Sequence, residues 1–146
     1  MSVTGKQPGL TLIEIMLIIG IFALLISIMT PVGLNFYLAY QFDSETDLLT
    51  ALLRQARNLS MVNHNESDHG VYIAADKFTV FEGTNYATRN QASDKQFQRD
   101  GAIAIAGPAE IVFSALSGQT ASSTFNLNDG RKNRDIFVNP EGLVYE

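Results

Sequence analysis

No cysteine occurs in the chain. That excludes disulfide frameworks, thiolate zinc sites, cysteine nucleophiles and lipidated cysteine anchors, and it leaves the redox compartment open, because an exported domain does not require disulfides. Positive charge is scarce too: 10 Lys and Arg stand against 15 Asp and Glu, for a formal net charge of -5. This balance disfavours coating nucleic acid by bulk attraction, which needs positive potential, although a local basic patch is still open. The fingerprints of common catalysts are missing as well: there is no G-x-S-x-G elbow, no P-loop and no dinucleotide-binding glycine pattern. No convincing internal repeat is present. Nothing in the sequence points to an enzyme or calls for a cofactor.

The apolar residues are unevenly spread. With 146 residues, the chain has room for one compact domain besides its N-terminus. From Leu10 to Met29 the only ionisable residue is Glu14, and Ile, Leu, Phe and Met dominate; from Asp43 onward charged residues occur throughout. A hydrocarbon core of about 30 Å is crossed by roughly 20 apolar residues in helix, the length of this run. A cleaved secretory signal has a shorter apolar region, about 7–15 residues, ending at small residues. No Ala-x-Ala site follows here. A plain membrane anchor fits the length but gives no reason for Glu14. An acid in an apolar segment costs free energy unless it snorkels, is protonated or is paired. Pairing with a positive group on a neighbouring copy accounts best for its position.

Gly9-Leu10-Thr11-Leu12-Ile13-Glu14, behind a short polar leader carrying Lys6, resembles the type III signal of type IV prepilins and pseudopilins. The resemblance implies that residues 1–9 are a leader removed by a prepilin peptidase between Gly9 and Leu10, with methylation of the new N-terminus at Leu10, where Phe is commoner. It implies that Glu14 is the assembly acid, paired with the N-terminal amine of a neighbouring subunit. It also implies a bacterial inner-membrane protein that passes into a periplasmic or extracellular filament. The positive leader favours a cytoplasmic N-terminal end. Pro31 falls where many pilins carry a helix-distorting proline, and a kink or local melting of the helix is expected there, because proline removes a backbone donor and crowds the preceding turn.

Residues 10–30 are thus expected as a transmembrane or filament-core helix and 31–62 as its amphipathic continuation. In the latter Leu38, Phe42, Leu49, Leu52, Leu53, Ala56 and Leu59 recur at spacings of three, four and seven. Asp43, Glu45 and Asp47 precede Arg54 and Arg57, an order that suits the helix dipole. The polar stretch Asn63–Gly70 ends the helix. Residues 63–146 then read as an antiparallel β domain with strands at Val71–Ala74, Phe78–Glu82, Ala102–Ala106, Ile111–Ser114, Thr124–Leu127, Ile136–Asn139 and Leu143–Tyr145. Ala75-Asp76-Lys77 and Pro140-Glu141-Gly142 are hairpin candidates. The span from Gly83 to Gly101 reads as a long polar connection, either a mobile loop or irregular structure. The class is α+β, a long N-terminal helix laid on antiparallel sheet.

Ala56-Arg57, Gly70-Val71, a Phe-rich strand, Ile111-Val112-Phe113 followed by Ser-Gly, and Asn139-Pro140-Glu141-Gly142 resemble the GspH/FimT family of minor pseudopilins. This resemblance implies a structural subunit of a type II secretion pseudopilus or type IV pilus. Its implied partners are other pilin or pseudopilin subunits, the prepilin peptidase and the inner membrane.

Three sets of residues invite a chemical reading. His64 and His69, with Glu66 or Asp68, suggest a metal, but their spacing in a turn fits no zinc motif, so they read as solvated loop histidines. Asp129 near Asn126 and Asn128 lacks the acid count of a calcium loop. No metal is therefore expected. Gly130-Arg131-Lys132-Asn133-Arg134 is the basic cluster. It reads either as a solvated turn whose like charges protect an edge or as a DNA contact through Arg131, Lys132 and Arg134. Some FimT-type pilins take up DNA through a Gly-Arg-x-Arg motif, and the present cluster has one extra residue between its arginines. Arg89, Lys95 and Arg99 join it if the long connection folds nearby. The second expectation is accordingly a DNA-binding minor pilin for natural transformation.

Overall fold

The computed structural model of the chain describes residues 9, 11–99 and 101–146, and for 29–33 the backbone alone. The fold is α+β: an N-terminal helical region precedes two antiparallel sheets. The chain divides into two compact units, one ending at Tyr40 and the other comprising Gln41–Glu146.

Helix α1, Leu12–Met61, begins at a side-chain cap. The Thr11 carbonyl accepts the Glu14 and Ile15 N–H groups at 3.1 and 3.2 Å, and Thr11 Oγ1 accepts from Glu14 N at 3.3 Å, meeting donors that a helix start leaves free. Glu14, in the first turn, lies at the positive end of the helix dipole. The helical backbone continues through Pro31. In the first unit the large apolar side chains are exposed all round the helix: Leu12 by 78%, Phe22 by 60% and Phe36 by 76%. Among the described residues no helix is long and apolar enough to cross a membrane. The run expected to do so ends at Leu10 and Met29, both outside the described side chains. Leu38, expected on the buried stripe, is exposed.

In the second unit α1 buries one stripe: Phe42, Leu49, Leu52, Leu53 and Ala56. These residues form one core with Val71, Phe78, Val80, Ile111 and Phe113 from one sheet and Phe125, Leu127, Ile136 and Val138 from the other. The first sheet is ordered β3-β2-β1-β5, with β1 His69–Ile73, β2 Lys77–Glu82, β3 Lys95–Gln98 and β5 Glu110–Phe113. The second is ordered β4-β6-β7-β8, with β4 Ala104–Ala106, β6 Ser123–Asn128, β7 Asn133–Val138 and β8 Val144–Tyr145. The hairpins expected at Ala75–Lys77 and Pro140–Gly142 close with Ala74 N to Lys77 O at 2.9 Å and Asn139 N to Leu143 O at 3.1 Å.

The long connection after Gly83 is built, with a strand inside it. It carries a short 3-10 turn, Gln91–Ser93, and edge strand β3, whose Lys95-Gln96-Phe97-Gln98 offers only Phe97 to the core. Tyr86 stacks on Tyr72 at 3.7 Å and meets Phe81 edge-on at 5.6 Å. Strand alternation places Tyr72 and Phe81 opposite Val71 and Val80, so this segment covers the face of β1 and β2 turned away from the core. Gly70 makes that cover possible, since a Cβ there would lie 2.5 Å from Phe81 Cζ and 2.6 Å from the Ile111 carbonyl oxygen.

Candidate functional site

Of the residues singled out for processing and assembly, Gly9 is exposed, and Leu10 lies outside the described residues. Glu14 is exposed one turn into α1. It is the sole acid from Leu12 to Ile28, a helical surface dominated by Leu, Ile, Met and Phe.

The basic cluster spans the turn between β6 and β7 and the start of β7, where Arg134 lies, and its cations are paired. Asp129 Oδ1 accepts the Lys132 and Arg131 backbone N–H groups at 2.6 and 2.8 Å, which holds its carboxyl below the usual range, and Arg131 adds an ion pair at 3.2 Å. Lys132 Nζ reaches Asp43 at 3.2 Å, and Arg134 contacts Asp43 at 3.3 Å and Glu146 at 3.4 Å. Three carboxylates thus face three cations, joining this turn to the start of the second unit's helical stretch and to the C-terminal residue. Arg89 and Arg99 do not join the cluster. Arg89 pairs with Asp94 at 2.9 Å and lies over the Tyr86 ring at 3.7 Å. The Arg99 side chain is 5% exposed and pairs with the equally buried Glu45 side chain at 2.8 Å. Lys95 lies on β3, paired in register with Val80.

The histidines differ from the sequence expectation. His64 is exposed on the 3-10 turn His64–Glu66, but His69 begins β1 and is 3% exposed. Ser60, itself buried, fixes it: the His69 N–H donates to Ser60 Oγ at 2.9 Å, and that hydroxyl donates to the Phe113 carbonyl at 2.8 Å. The hairpin register sets His69 opposite Glu82, and the two rings of His64 and His69 meet edge-on at 5.7 Å. The acid beside the histidines is therefore Glu82, supplied by β2, and neither Glu66 nor Asp68 takes that place. Burial lowers the His69 pKa and His64 adds to the effect, against the raising influence of Glu82, the Ser67 backbone and Asp68. Glu82 is held below its ordinary value first by the Asn65 amide, which donates to Oε2 at 2.8 Å, and then by Ser93. Spacing along the chain brought out the two histidines but gave no signal for Glu82, which the pairing of β1 with β2 sets beside them. No family model, no curated protein and no solved structure matches the chain.

Proposed function

We propose that the chain is a minor pseudopilin, a non-enzymatic structural subunit of a type II secretion pseudopilus or type IV pilus. The observation that carries this reading is the contrast between its two units. From Leu12 to Ile28 the helix exposes apolar side chains on every side, with Glu14 as the sole charge, whereas Gln41–Glu146 has its own closed core. Such a surface needs a cover of lipid or of neighbouring helices. In this reading the Leu10–Met29 run sits in the inner membrane until assembly transfers it to a filament interior. There, burial against other subunits replaces lipid, and Glu14 sets the axial register by pairing with a neighbour's N-terminal amine, because an unpaired charge in that interior is costly. A helix followed by antiparallel sheets is compatible with a pilin-like fold.

The ion pairs of Arg131, Lys132 and Arg134 give the basic turn an intramolecular role and weigh against DNA as its partner. Co-expression with a prepilin peptidase tests the main reading. The intact mass should fall by the mass of residues 1–9 and rise by one methyl group; an unchanged mass would remove the proposal. A salt series of DNA binding, with and without Arg131→Ala/Lys132→Ala/Arg134→Ala, tests the alternative. Binding that weakens with salt and is lost in the triple variant would replace the structural subunit with a DNA-uptake pilin.

A further inference from the structure

His64, His69 and Glu82 each bring one ligand-type atom to a common point, all within 4.8 Å of one another. They come from three elements: the turn that ends α1, the first residue of β1 and the last residue of β2. His69 Nδ1 is buried and has no hydrogen-bond partner among the described residues. Buried polar atoms in folded proteins are almost always satisfied, so this one calls for a partner. A cavity of about 40 Å³ is lined by these three residues together with Leu59, Ser93 and Lys95 among others.

We propose that this corner binds one zinc ion through His64, His69 and Glu82. Two imidazoles and a carboxylate form a nitrogen-rich donor set that suits zinc and disfavours calcium and magnesium, which take oxygen ligands. Zinc–ligand distances of about 2.0–2.1 Å put tetrahedral ligand atoms about 3.3 Å apart, so atoms now as far apart as 4.8 Å must draw together by about 1.5 Å. Exposed His64 can supply that movement by rotating its side chain. The Asn65 amide already holds Glu82 Oε2 and would orient the carboxylate. Burial favours the neutral imidazole of His69, the form that binds metal. Lys95 is the opposing charge in the lining, and its long exposed stem lets the ammonium turn to water. The fourth position is left to water. The ion ties the end of α1 to the β1–β2 hairpin, so its effect is on stability.

The test uses the untagged full-length chain in detergent, stripped with a chelator and dialysed against Zn²⁺. Bound metal and the thermal unfolding midpoint are measured, with Co²⁺ absorption reporting coordination geometry. One zinc per chain and a raised midpoint are expected in the parent. His64→Ala and Glu82→Gln should lose both, while Glu66→Ala retains them. His64 is exposed, so its variant keeps the fold, checked by circular dichroism. Absence of bound zinc in the parent, or equal binding by His64→Ala, overturns the proposal.

Discussion

Arg99 Nε lies 2.8 Å from Glu45 Oε1, and both side chains are 5% exposed. The guanidinium also donates to the Ala74 carbonyl at 3.1 Å and to the Ile103 carbonyl, and it sits over the Phe78 ring at 5.3 Å. One side chain thereby ties α1, the β1–β2 turn and the approach to β4 together. A buried pair is a weak source of net stability, but removing one partner strands the other charge. Arg99→Met should cost about 3–5 kcal/mol, and Glu45→Gln/Arg99→Met should cost less than Arg99→Met alone. Denaturant unfolding of the full chain in detergent measures both. Equal losses would mean that Glu45 is not stranded.

Ser60→Ala removes a hydroxyl that accepts from His69 N and donates to the Phe113 carbonyl. Both backbone groups lose that hydroxyl at a buried position, so the loss should be about 1–3 kcal/mol. The His69 amide should also lose hydrogen-exchange protection, whereas the Leu127 amide keeps its own until global unfolding.

Gly70→Ala places a methyl group against the Phe81 ring and the Ile111 backbone oxygen at distances no relaxed contact allows. Overpacking of this kind costs about 1–3 kcal/mol. Gly130→Ala meets nothing within 4 Å, although φ there is +83, so its cost should come from backbone conformation alone. Thermal unfolding of the two variants separates the effects: Phe81→Leu should recover part of the Gly70→Ala loss and none of the other.

Asp129 titrates below its ordinary 3.8 because backbone N–H groups of Lys132 and Arg131 stabilise the carboxylate. A depressed folded value means that its contribution is present above pH 3.8 and is lost as pH falls through the lower folded value. Amide shifts of Arg131 and Lys132 followed by NMR should titrate with a midpoint under 3.8 in the parent and stay flat in Asp129→Asn. A midpoint at or above 3.8 would contradict the contacts.

Glu14→Ala tests register pairing in the proposed filament. The variant should enter the membrane fraction normally and be depleted from sheared filaments. Normal recovery there would separate Glu14 from assembly and leave it as a first-turn acid at the helix start.

Periodicity along the chain was enough to place α1, because Phe42, Leu49, Leu52, Leu53 and Ala56 repeat with the helical period and then share one buried face. It was enough for β5, β6 and β7, whose alternation matches their burial, and for the two hairpin turns. It could not show β3, since an edge strand needs only Phe97 to be apolar and keeps polar neighbours that discourage further pairing. The contrast between an apolar N-terminal run and a remainder of mixed polarity was also written in the sequence, through composition alone. Tertiary structure decided which charges are partners: Glu45 with Arg99, and Asp43 with Lys132 and Arg134, are joined across long stretches of chain that no local pattern connects. It also turned His69 inward and set Glu82 opposite it. Side-chain periodicity is a local property of the backbone and is legible residue by residue. Strand register and long-range ion pairs depend on how separate segments meet, and only the folded chain determines that.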